Sequence, residues 1–298
     1  MTTDIPEIRS AYDLPQLDIA EFIEGCDTMP KQDEIIEGIL PKGQVMLLTG
    51  DPFEGKSLEV QYLTIAFGFG SEYHGLKVKK CRALYLTWEG SGQGLAARFK
   101  KILNGTSPDI KPRIKMLPEP TPFNTAAGYK VIAELLHKTK QEHDIEVVLY
   151  DSYPYTITGK LHKDEVVNEW WSIVTKLHHN LELTPIFIFE QRKLIWGRDP
   201  EERFSLDRLK GAKTLAYKAN TVIAIGKNMV KKWNPETQKT QHIQDGSMIV
   251  PLKIKDAVGL FKPLHVDLNR DTCLFNGQKW KFDEKTSVYD NVVCEEGS

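Results

Sequence analysis

Gly50-Asp51-Pro52-Phe53-Glu54-Gly55-Lys56-Ser57 decides the fold, because it fits the phosphate-binding pattern G-x-x-x-x-G-K-S and lies between a strand and a helix. Val45-Met46-Leu47-Leu48-Thr49 is a short apolar run ending at the first glycine. From Leu58 to Phe69 apolar residues recur at helical spacing with no proline. Gly50 and Gly55 allow the backbone to turn several N–H groups inward, at the positive end of the following helix. A polyphosphate is the natural ligand of such a nest, which runs through Leu58. Lys56 is a compact cation for the β- and γ-phosphates, and the Ser57 hydroxyl is one ligand for an octahedral Mg²⁺.

Outward from this loop the chain alternates strands and helices. Strands are expected at Ala83–Trp88, Ile114–Leu117, Glu146–Asp151 and Pro185–Phe189, with helices after Ser57, over Gly94–Leu103, Ala127–Lys140 and Asp164–Asn180. Such alternation predicts an α/β fold whose sheet is mostly parallel and flanked by helices. Val222–Ile225, Met248–Ile254 and Pro263–Leu268, separated by short polar turns, predict antiparallel C-terminal strands in the same sheet. Residues 1–35 are polar, contain Pro6, Pro15 and Pro30, and read as an arm with one short helix near Ile19–Gly25. Residues 36–282 read as one domain and 283–298 as an acidic, weakly patterned tail.

Composition narrows the function. At 298 residues and 41% hydrophobic content the chain can bury a large core, and a net charge of −2 gives no global attraction to nucleic acid. Cys26, Cys81, Cys273 and Cys294 lack the spacing of a zinc site or a disulfide scaffold, no run approaches the roughly 20 apolar residues that span a membrane, and the N-terminus has no signal-peptide profile. A reduced, cytoplasmic location with no membrane partner is the expectation.

Two carboxylates complete a hydrolytic site. Val147-Val148-Leu149-Tyr150 ends at Asp151, which places an acid at the carboxyl edge of the sheet beside a bound Mg²⁺. Ala83–Trp88 ends at Glu89, whose carboxylate faces the same crevice and can orient a water in line with a γ-phosphate.

The phosphate loop, the second-strand Glu89, Asp151 after an apolar strand, and Gln191 after Phe187-Ile188-Phe189-Glu190 together resemble the RecA-like P-loop ATPases, including RepA-type and DnaB-type hexameric replicative helicases. The resemblance covers about residues 36–280 and implies a RecA-like core with ATP and Mg²⁺ bound between subunits of a homo-oligomeric, hexameric ring acting on single-stranded DNA. It gives Glu89 the role of catalytic base and Gln191 that of γ-phosphate sensor.

Leu209-Lys210-Gly211-Ala212 resembles the helicases' Leu-Arg-Gly-Ser, with Lys210 and Ala212 departing from it. Lys253 and Lys255 resemble the Lys-x-Arg hairpin that reaches a neighbour's nucleotide, with Arg208 and Arg203 as weaker stand-ins. DNA-binding loops map to Tyr153–Asp164, with Lys160, His162 and Lys163, and to Lys193–Gly211, with neighbouring Arg192 and with Lys193, Trp196 and Arg198. Lys227–Lys239 reads as a solvated hairpin loop, Trp170 and Trp171 as core or subunit packing, and His178-His179 as a helix end. Two other readings stay open: a recombination, repair or transposition ATPase that does not unwind DNA, and a nucleotide-gated regulatory ATPase that does not act on DNA.

Overall fold

The computed structural model describes residues 18–28, 33–160, 163–191, 204–209, 214–234, 238–255, 262–277, 279–283 and 288–292. The chain divides into two compact units, Met1–Asp33 and Glu34–Ser298. In the first, helix α1 (Ile19–Thr28) is started by a reciprocal capping box: Glu21 N–H donates to the Asp18 carboxylate and Asp18 N–H to that of Glu21.

The second unit begins with the short strands β1 (Glu34–Ile36) and β2 (Leu40–Pro41), followed by β3 (Met46–Gly50) and α2 (Lys56–Phe69). A two-residue hairpin, β4 (Glu72–Tyr73) and β5 (Leu76–Lys77), leads to β6 (Ala83–Thr87), α3 (Gly92–Leu103), β7 (Arg113–Met116) and α4 (Ala126–His143). Then come β8 (Val147–Asp151), α5 (Asp164–Asn180), β9 (Thr184–Glu190) and α6 (Thr214–Lys218). The chain continues with β10 (Thr221–Asn234), β11 (Lys239–Ile254), β12 (Leu264–Asn269), β13 (Leu274–Gly277) and the hairpin β14 (Lys279–Asp283) with β15 (Val288–Val292).

Nine strands form the main sheet in the order β13-β12-β11-β10-β3-β9-β8-β6-β7. From β10 to β7 the neighbours run parallel, and from β10 to β13 antiparallel, as the alternation of elements predicts. One strand, β9, separates β3 from β8. At about 4.8 Å per strand the ends of β3 and β8 therefore stand roughly 10 Å apart at the carboxyl edge, and the phosphate loop bridges that gap.

Every residue of β3, β6 and β8 is buried because helices cover both faces, and side chains alternate between them. Val147 and Leu149 join Met46, Leu63, Phe67, Phe99 and Ile188 under α2 and α3. Val148 and Tyr150 join Leu136, Trp170, Val174 and Phe187 under α4 and α5. Trp170 is fully buried and its indole N–H donates to Thr156 O at 3.0 Å, so it is core.

One sequence expectation is corrected. Lys227–Lys239 is not a loop: β10 and β11 pair from Thr221↔Ile254 out to Asn234↔Lys239, so most of that stretch is strand in a long ribbon. Near the C-terminus Val288–Val292 pairs antiparallel with Lys279–Asp283. Among the described residues no helix is long and apolar enough to cross a membrane.

Candidate functional site

The phosphate loop is held by close backbone approach. A Cβ on Gly50 would lie 2.1 Å from the Ile225 carbonyl oxygen of β10, so only glycine lets the two strands run side by side there. Gly55 takes a φ of 88° as it opens α2, a left-handed conformation that glycine adopts without strain. Helix α2 then starts at Lys56, so its unpaired N-terminal N–H groups face the loop. Lys56 is buried, and its Nζ donates to Asp51 O at 2.7 Å. Burial lowers the pKa of its ammonium, and the nearby carboxylates of Glu190, Asp151, Asp51 and Glu54 work against that.

A cavity of about 420 Å³ opens above this loop, lined on one side by Pro52, Phe53, Gly55, Lys56, Ser57 and Leu58 and on the other by Glu89, Arg98, Asp151, Ser152, Ile188 and Glu190. The sequence-predicted loop, Glu89 and Asp151 thus share one space at the carboxyl edge of the sheet, where open α/β sheets bind ligands.

Asp151 is buried and accepts a 2.6 Å hydrogen bond from the Tyr85 hydroxyl and another from Ser57. Burial raises its pKa, while those two donors and the Arg98 and Lys56 charges pull it back. The Ser57 hydroxyl and the Asp151 carboxylate are adjacent hard oxygens, the donor set that suits Mg²⁺.

Glu89 lies just past β6 and is open to solvent at its tip, with Oε1 accepting a 3.0 Å hydrogen bond from Ser152 Oγ. Its pKa is raised, first by desolvation of the carboxylate and next by the Asp151 charge, while the Ser152 donor and Lys56 oppose the rise. A carboxylate tuned upward and held by one donor retains free lone pairs for a water.

The structure separates other predicted residues from this group. Gln191 is buried at the end of β9 and is not on the cavity wall; its backbone N–H donates to Gly50 O at 3.2 Å. Its Nε2 has no hydrogen-bond partner among the described residues. Lys253 is spent within its own chain: its Nζ donates to the carbonyls of Ala216, Tyr217 and Ala219 at 2.9, 2.5 and 2.7 Å, satisfying the C-terminal end of α6. An ammonium has three donors, so this geometry leaves none for a neighbour's nucleotide.

Lys255, just past the end of β11, is exposed. Arg208 turns inward onto the loop, its Nη2 2.7 Å from Asp51 Oδ1, so it too is occupied in cis. The segment after Asp151 begins as packed structure rather than a loop: Tyr153–Thr156 is a 3₁₀ turn, and the Tyr153 ring stacks on Phe189 at 3.9 Å. Among its described residues only Thr158 through Lys160, Lys163 and Asp164 are exposed. His162, Arg192, Lys193, Trp196, Arg198, Arg203, Lys210, Gly211 and Ala212 lie outside the described residues.

Three participants and one pairing escaped the sequence reading. Glu190 ends β9 in register with Gly50, and the logic that finds Asp151, an apolar run ending in a carboxylate, applies to it equally. Ser152 is the residue after that acid. Arg98 gives no sequence signal, being one more polar residue between Leu95 and Phe99 on an amphipathic helix. The pairing of Arg208 with Asp51 spans 157 positions and is equally silent.

No curated protein matches the sequence. Among solved structures, a KaiC-like protein from the hyperthermophilic archaeon Pyrococcus horikoshii OT3 is similar over 82% of this chain and 94% of that one, at 15% identity and a TM-score of 0.46. The family model described as AAA domain matches residues 10–193, a stretch that begins before β3, ends beyond β9 and contains every residue lining the cavity. The chain belongs to that family and is a RecA-like P-loop ATPase.

Proposed function

We propose that the protein hydrolyses Mg²⁺·ATP to drive movement along single-stranded DNA, as a replicative helicase of a plasmid, phage or other mobile element, working as a homo-oligomeric ring. The observation that supports this most is the convergence of Lys56, Ser57, Asp151 and Glu89 on one 420 Å³ cavity at the carboxyl edge of the sheet. In this reading the loop N–H groups and Lys56 bind the phosphates, Ser57 and Asp151 hold the Mg²⁺, and Glu89 aligns a water and accepts its proton. Bound Mg²⁺ supplies charge neutralisation to the β- and γ-phosphates. Arg98 and Glu190 tune the field around that centre. Gln191, one residue past the cavity wall, relays the state of the site through β9 to the segment that follows.

Among the described residues Lys255 is the candidate cation left to reach a neighbouring subunit's nucleotide, because Lys253 and Arg208 are engaged at home. The DNA contacts fall to Lys160 and Lys163, beside the end of β8, and to Lys193, Trp196 and Arg198 after β9.

The test is ATP turnover with and without single-stranded DNA at two salt concentrations, with Lys56→Ala and Glu89→Gln as controls. DNA stimulation that weakens with salt, lost in both variants, supports a translocase. Turnover indifferent to DNA removes the DNA role and leaves a nucleotide-gated regulator. No turnover in the wild type ends the hydrolytic reading.

A further inference from the structure

A loop built to hold polyphosphate carries two acids, Asp51 and Glu54, whose charges oppose the ligand. Each is met by a cation from the C-terminal half. Lys227 Nζ stands 3.7 Å from Glu54 Oε1 and is 44% exposed, so solvent screens that pair. Arg208 is different: it lies 2.7 Å from Asp51 Oδ1, with side-chain exposures of only 10% and 18% for the two partners. Such a short, shielded contact is a charge-assisted hydrogen bond rather than a passing surface attraction.

The arginine is presented by a short 3₁₀ turn, Leu206–Arg208, whose start is fixed by Ser205 Oγ accepting from Asp207 N–H at 3.2 Å. The next residue, Leu209, forms an antiparallel bridge with Gln191, and Gln191 N–H donates to Gly50 O. Residues 205–209 therefore reach the start of the phosphate loop twice, indirectly through Gln191 to the Gly50 carbonyl and directly through the Arg208 side chain at Asp51. Asp51 in turn offers its carbonyl to Lys56 Nζ.

We infer that Arg208 is a positioning residue of the nucleotide site: it cancels the Asp51 charge beside the phosphates and ties the loop to the segment after β9. The inference rests on the nucleotide-binding part of the proposed function. Because its effect is electrostatic, it scales with ligand charge. Removing the guanidinium takes away its share of the charge compensation at Asp51, so ATP suffers more than ADP. Removing both partners takes the penalty away.

Arg208→Gln, Arg208→Lys, Asp51→Asn and the Asp51→Asn/Arg208→Gln pair are titrated with fluorescent ATP and ADP analogues, with Lys56→Ala as control and thermal melts for folding. Arg208→Gln is expected to weaken ATP binding about tenfold and ADP binding less. Lysine restores part of the affinity and the double variant most of it. Equal affinity in wild type and Arg208→Gln overturns the inference while leaving nucleotide binding intact. So does an equal loss for ATP and ADP that the double variant fails to repair, which marks a purely structural role. A wild type that binds no nucleotide, indistinguishable from Lys56→Ala, overturns this inference and the proposed function together.

Discussion

Replacing Lys253 with methionine separates two readings of one lysine. The sequence invites a cation extended toward a neighbouring subunit, whereas the structure has its ammonium closing the end of α6 on three carbonyls. Methionine keeps the apolar stem and deletes the donors. Each hydrogen bond to a charged donor contributes about 1.5–3 kcal/mol when shielded, and favourable charge at a helix C-terminus adds about 0.3–1. Lys253 is only partly buried and Tyr217 is 64% exposed, so water recovers part of what is lost. The net expectation is a loss of about 2–3 kcal/mol, since solvent exposure brings each of the three bonds down to roughly 1 kcal/mol or less.

Urea unfolding is the assay, with the slope checked for constancy so that a shift in midpoint reads as stability. Arginine at 253 should recover little, because its planar fork cannot meet three carbonyls converging from one helix end. An unchanged midpoint combined with abolished ATP turnover would refute the capping argument and return Lys253 to the subunit boundary.

Three further perturbations follow from the site and core. Ser152→Ala removes the donor that holds down the Glu89 pKa, so the acid limb of the turnover profile should move to higher pH; an unmoved limb means Glu89 is not the titrating base. His178 is buried between the Tyr150 hydroxyl and Val174 O with its pKa lowered to about 4, so between roughly pH 6.5 and 4 the unfolded chain binds more protons. Stability should therefore fall on acidification through that window, by up to about 3 kcal/mol at 1.36 kcal/mol per unit, and His178→Gln should flatten the dependence in acid unfolding curves. Gly50→Ala drives a methyl into the Ile225 carbonyl and should cost more than about 2 kcal/mol as well as nucleotide binding; a variant as stable as wild type in urea would contradict the close approach.

What could be read in the chain depended on whether a signal was local. The phosphate loop, its strand and its helix are contiguous. Asp151 and Glu89 each follow an apolar run whose burial on both faces dictates a strand. Helix α5 matches its expected span, Asp164–Asn180, because its apolar stripe is unbroken. The long ribbon escaped notice because Lys227–Asn234 carries no continuous apolar run in the sequence; among the described residues it pairs with β11 alone. Arg98, Arg208 and Lys253 acquire their roles from partners 34 to 157 positions away, or from the packing of a helix onto a sheet edge. No spacing rule carries that information.

The ribbon has a consequence of its own. Its outer part, Met229–Asn234 against Lys239–Gln244, extends beyond the strands that flank it, since β3 stops pairing at Ile225 and β12 pairs with β11 only from Ser247 to Ile249. Six residues of strand make an arm about 20 Å long. Among the described residues both of its borders present backbone groups unused by the sheet, which is how one chain templates another. Lys232 is exposed on this arm and sets like charges against each other when two copies meet edge to edge. An edge lysine of this kind blunts strand-to-strand stacking, and chemical neutralisation of that amine is where colloidal stability would first be lost.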